Sequence, residues 1–116
     1  MNNVLRAFLA MLASMGASLA WSHHGWSGYD DTLLTLNGAI EASSYANPHG
    51  SVRLKAQDKT WTVVLAPPAR MQARGLTREL LKPGAEAKIE GYAHRTDSSE
   101  LRAERITIDG KTIELR

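Results

Sequence analysis

The chain has 116 residues, 14 basic against 12 acidic side chains for a formal charge of +2, and no cysteine. Near-balanced charge removes the reason to expect nucleic acid or an anionic membrane as partner. The missing thiols exclude disulfide staples, thiol redox chemistry and thiolate metal sites.

In chain order, Arg6 precedes an apolar run from Ala7 to about Ala20, broken by Ser14, Gly16 and Ser18. The run is too short and too interrupted to span a bilayer, which needs ~20 consecutive apolar residues. Ala20 and Ser22 place small residues where a signal peptidase reads, so residues 1–22 are expected to be a cleaved secretory signal peptide. What remains is enough for one small domain. The expected location is the periplasm, with full secretion as the alternative and no membrane association after cleavage. Cleavage would make His23 the first residue, with His24 beside it.

Residues 23–33 are polar and Gly-containing, with Trp26 and Tyr29 as large anchors, and read as an extended arm. From Leu34 onward the sequence predicts a β-domain over residues 34–116. Leu34, Leu36, Gly38, Ile40 and Ala42 alternate with polar or small residues, the period-two signature of a half-buried strand. Asn47-Pro48-His49-Gly50 is a turn. A second strand puts Val52, Leu54 and Ala56 inward and Arg53 and Lys55 outward. Gln57-Asp58-Lys59 turns the chain into a third strand with Trp61, Val63 and Leu65 on one face. Pro68 suits a first helical position. A short helix over Ala69–Arg74 is therefore expected, closed by Gly75, with Thr77 capping a further turn through Leu81.

In the fourth strand Ala87, Ile89, Gly91 and Ala93 face inward, while Tyr92 and His94 face outward. The fifth carries Leu101 and Ala103, then Ile106 and Ile108, and the slip between the pairs predicts a bulge near Glu104-Arg105. Asp109-Gly110 is a two-residue hairpin signal leading to a tail strand with Ile113 and Leu115. The predicted fold is mainly β: a five-stranded Greek-key barrel resembling the OB-fold, with a short helix between strands 3 and 4. A sandwich of short strands is the alternative.

Chemistry concentrates in the histidines. A terminal His23 would combine an α-amine with an imidazole, and His24 adds a second ring. Cu(II) favours tetragonal nitrogen sites and heads the divalent affinity order, so copper is the best-matched ion and zinc the second. His49, presented by its turn, is the expected third ligand and His94 a fourth. A local chelate of the amine, the intervening amide and the His24 ring needs no folded protein and stays open as an alternative.

No Gly-x-Ser-x-Gly elbow, phosphate loop or His-Glu-x-x-His occurs, and adjacent Asp30-Asp31 point apart in an extended arm. Arg70, Arg74 and Arg78 follow helical spacing and read as a solvated helix face, with acceptance of an anionic group as the alternative. The role read from the residues is binding or delivery, with a metal ion or small ligand as partner and a periplasmic protein in the case of delivery. A barrel-face module for a small molecule, glycan or partner protein is the alternative.

Several motifs together resemble the domain-of-unknown-function family 6152, small exported bacterial proteins. They are His23-His24-Gly25, Asn47-Pro48-His49, Arg74-Gly75-Leu76-Thr77, Leu81-Lys82-Pro83-Gly84, Glu90-Gly91-Tyr92 and Asp109-Gly110-Lys111. Gly25-Trp26 stand where members read a serine and an aromatic. The resemblance implies a periplasmic β-domain and brings no activity or ligand assignment.

Overall fold

The computed structural model describes residues 26–116. The expected signal peptide, His23 and His24 lie outside the described residues.

Two tight turns organise the strands. After β1 (Tyr29–Ser44), β2 (Ser51–Ala56) and β3 (Lys59–Val64) are joined by Gln57 and Asp58 alone. Their φ values of 54° and 59° are those a two-residue hairpin turn requires. Lys59, expected in the turn, is already the first residue of β3. Asp109 (φ 50°) and Gly110 (φ 74°) likewise connect β5 (Glu100–Ile108) to β6 (Lys111–Glu114). Between β3 and β4 (Glu86–His94) lie helix α1 (Pro68–Ala73) and a 3₁₀ turn at Arg78–Leu81. Pro68 opens α1 and Gly75, at φ +88°, follows its end. Thr77 holds the N-cap position of the 3₁₀ turn but makes no side-chain capping bond, contrary to expectation.

All six strands join one sheet in the order β3-β2-β1-β4-β5-β6, and β3 also pairs in parallel with β5. That parallel contact curls the sheet until β3 meets residues 100–102 of β5, and β6 pairs with residues 105–108 along the same edge, opposite β4. The expected five-stranded barrel is thus met at a coarser level: a mainly β chain with a six-stranded sheet. Its tail hairpin forms a full sheet member. β1 reaches back to Tyr29, ahead of the expected Leu34, because Tyr29 and Leu33 already pair with His94 and Tyr92 of β4.

The period-two pattern decides the core. Val52, Leu54, Ala56, Trp61, Val63, Ile89, Leu101, Ile106 and Ile108 are all buried, and no polar or charged residue joins them among the described residues. Apolar burial of this kind contributes about 25 cal/mol per Å² removed from water, which must hold a domain without disulfides. The bulge predicted in β5 is present. Glu90 pairs with Arg105 and Gly91 with Ala103, leaving Glu104 as the extra residue. A second bulge was not foreseen: Ile40 faces Leu54 while Ala42 faces Arg53. The inserted Glu41 flips the alternation, so Ala42 is exposed rather than inward.

Candidate functional site

The segment before β1 does not hang free. Residues 26–28 form a turn closed by a bond from the Tyr29 amide to the Trp26 carbonyl (3.2 Å). The Arg95 amide donates to the Gly28 carbonyl and the Arg95 Nε to the Tyr29 carbonyl, both at 2.9 Å. These bonds stitch the arm to the end of β4.

Trp26 is thereby laid against outward side chains of β4 and β5. The Arg102 guanidinium lies 4.2 Å from its ring centroid and the Arg116 guanidinium 4.4 Å. Tyr92 and Tyr29 meet it edge-on, with centroids at 6.0 and 6.3 Å. Cation–π contacts of this kind are worth about 0.5–2 kcal/mol each, more when desolvated. The Tyr29 hydroxyl donates to the Glu100 carboxylate. Burial and then that bond push the Tyr29 phenol up to about 12, so it remains a neutral donor.

His49 joins this cluster from the β1–β2 turn. The turn is pinned by bonds from the Gly50 amide to the Ala66 carbonyl (2.9 Å) and from the Leu65 amide to the Gly50 carbonyl (2.8 Å). The ring is half-buried, and its Nε2 lies 3.4 Å from Nη2 of Arg102. A guanidinium only donates, so Nε2 is the acceptor and the ring proton sits on Nδ1. At 3.4 Å the bond is long and weak. Burial first, then the charges of Arg102 and Arg70, lower the His49 pKa and hold the ring neutral. Neutral imidazole is the form that ligates metals.

His94 is held differently. Its ring packs edge-on to Tyr29 at 5.1 Å, and its Nδ1 accepts bonds from the amides of Thr96 (3.2 Å) and Asp97 (3.0 Å). The proton therefore sits on Nε2, and the bare lone pair is the one the backbone uses. A ligand role for His94 costs it both bonds. His49 and His94 are linked through Arg102 and Tyr29 rather than facing each other. No group of three or more potential metal ligands occurs among the described residues.

Two further arrangements add to the sequence reading. Arg70 donates to the Leu115 carbonyl (3.0 Å), and Arg74 to the carbonyls of Glu114 (2.8 Å) and Arg116 (3.2 Å). Arg78 lies over the Tyr45 ring at 5.2 Å. The arginine series is exposed, as a solvated face is, and its members also clamp the C-terminal segment and cover the Tyr45 ring. Arg102 and Arg116 were not singled out from the sequence. An arginine alternating with buried Leu101 and Ala103 looks like any outward strand residue, and nothing local ties it to Trp26.

The chain matches, over residues 10–102, the family described as "Family of unknown function (DUF6152)" and belongs to that family. No curated protein matches it.

Proposed function

Within a family that carries no assigned activity, we propose that the chain is an exported, OB-like β-barrel protein that binds a transition metal, copper first and zinc second. In this reading residues 1–22 are removed on export to the periplasm, and His23 supplies its α-amine and ring. His24 supplies a second ring and His49 a third. Support for the OB-like reading comes from the parallel β3–β5 pairing and from α1 lying between β3 and β4.

One observation carries the metal reading: Trp26 is docked on Arg102, and Arg102 touches His49. His24 precedes Trp26 by two residues and His23 by three. A chain spans at most about 3.6 Å per residue, so the His23 Cα lies within about 11 Å of the Trp26 Cα. The docked Trp26 is, in this reading, the anchor from which the terminal nitrogen donors extend toward the His49 turn. The neutral state of His49 suits it to ligation, and its weak 3.4 Å contact to Arg102 is readily exchanged for a metal bond. His94, engaged by two backbone amides, is left out of the ligand set.

The test is a Cu(II) titration of protein beginning at His23, beside a His49→Ala variant and a free peptide covering residues 23–33. Intact protein is expected to bind at least about tenfold tighter than the peptide, a difference of roughly 1.4 kcal/mol, and His49→Ala to erase that advantage. Equal affinities for protein, variant and peptide would reduce the site to a local chelate. Native mass spectrometry of the exported protein reads the first residue and any bound metal together.

A further inference from the structure

Beside Trp26 lies a cleft lined by neither His49 nor His94. It measures about 280 Å³ and is walled by Trp26, Tyr29 and Tyr92. Asp30, Asp31 and Arg95 supply its polar rim, with Arg116 at one edge. At just below the ~300–1,000 Å³ of pockets that take drug-sized ligands, it has room for one small ring.

Arg116 is engaged by Glu104 (3.6 Å) and by the Trp26 ring, whereas the other polar groups hold few partners. Among the described residues, Asp30 and Asp31 make no ion pair, and Asp30 accepts only the Asp31 amide at 2.9 Å. Arg95 spends its Nε on the Tyr29 carbonyl, leaving its terminal nitrogens as donors. The Tyr92 hydroxyl, half-exposed at the mouth, makes no hydrogen bond among the described residues.

We propose that this cleft binds a single neutral sugar ring. Tyr92 offers apolar ring surface to a C–H face of a pyranose, with its hydroxyl as a polar handle at the rim, while Tyr29 and Trp26, the latter carrying the Arg102 and Arg116 guanidiniums, complete the wall. Two carboxylates accept from ring hydroxyls while Arg95 donates to ring and hydroxyl oxygens. Two carboxylates against two guanidinium groups leave little net charge, which disfavours ligands that are strongly anionic or cationic. A ligand matching these walls needs hydroxyls that both give and accept bonds around an apolar ring, and a neutral saccharide has that chemistry. Neither of the described histidines, His49 and His94, lines the site.

Amide-resolved NMR titration of the full processed chain tests it, with maltotetraose and cellotetraose as neutral probes and a tetragalacturonate as the anionic one. A neutral probe is expected to shift the amides of Asp30, Asp31, Tyr92 and Arg95 and the Trp26 indole. Tyr92→Ala and Asp31→Asn, both at partly or fully exposed positions, are each expected to weaken binding about tenfold. Trp26 is left intact because it also pins the arm. The proposal is overturned by shifts from the anionic probe alone, by no shift from either neutral probe at roughly ten millimolar, or by variants that bind like the parent. Repeating the titration with and without a chelator separates the two readings. Sugar binding that disappears with the metal belongs to the metal and overturns the cleft, whereas failure of Cu(II) binding leaves the cleft untouched.

Discussion

His49 and His94 occupy comparable places along the chain, each beside a turn at the end of a strand, yet their neighbours give them opposite jobs. His49 sits in a turn wedged between α1 and β5, with a guanidinium at its Nε2 and a second arginine close enough to lower its pKa. His94 sits at the rim of β4, its Nδ1 folded back onto the amides of Thr96 and Asp97. One ring is kept neutral with a weakly held nitrogen. The other is part of the loop's own hydrogen bonding. Reactivity here follows from what each ring nitrogen already holds, not from exposure or from position in a turn.

The comparison is broken most strongly at the glycines beside the two rings. A Cβ on Gly50 would stand 2.4 Å from Cε of the fully buried Met71 and 3.2 Å from the Ser44 carbonyl oxygen. Gly50→Ala must therefore push Met71 into a filled core and is expected to cost about 1–3 kcal/mol. That lowers the midpoint of thermal unfolding by roughly 4–8 °C per kcal/mol. A Cβ on Gly28 would meet Nε2 of His94 at 3.5 Å, an ordinary contact. Gly28→Ala is expected to stay within about 0.5 kcal/mol of the parent. Calorimetry of both variants side by side decides it, and equal losses would mean the His49 turn is no more tightly packed than the arm.

Proton linkage sharpens the contrast at intermediate size. The folded-state pKa of His49 is depressed by burial and by Arg102 and Arg70. Its contribution to stability is therefore present above the unfolded value of about 6.5 and lost as pH falls below it. Imidazole resonances followed by NMR are expected to show His49 titrating below that value. Arg102→Gln should raise it only part of the way, because burial is the larger cause. Full recovery in Arg102→Gln would assign the shift to charge instead.

A smaller effect than at Gly50 is expected at His94. His94→Ala removes the acceptor for two amides that are free to turn to water, so a loss of about 0.5–1 kcal/mol is expected in chemical denaturation. Cu(II) affinity should stay unchanged. A copper affinity that falls with His94→Ala as it does with His49→Ala would erase the distinction between the two rings.

Much of the fold is legible in residues that lie next to one another. Val52, Leu54 and Ala56 alternate with Arg53 and Lys55 because the strand period is two, and the structure buries and exposes them accordingly. The break between Ala103 and Ile106 announces the Glu104 bulge, and Asp109-Gly110 announces its hairpin. The Glu41 bulge left no such mark, since Ala42 and Ser43 are both small enough to suit either face. The candidate site was legible only as a set of donors: His49 and Trp26 stood out by residue type, Arg102 by nothing.

The amino-acid order by itself determined the strands, their turns and which face of each is apolar, because those depend on dihedral preferences and hydrophobic alternation within a few residues. What the outward residues meet comes from long-range packing. Curling the sheet until β3 pairs with β5 brings Val64 beside Arg102. The bonds from Arg95 to Gly28 and Tyr29 then lay Trp26 on that same guanidinium, opposite His49. Such contacts join side chains far apart in sequence, and their energies depend on distances that no local pattern contains.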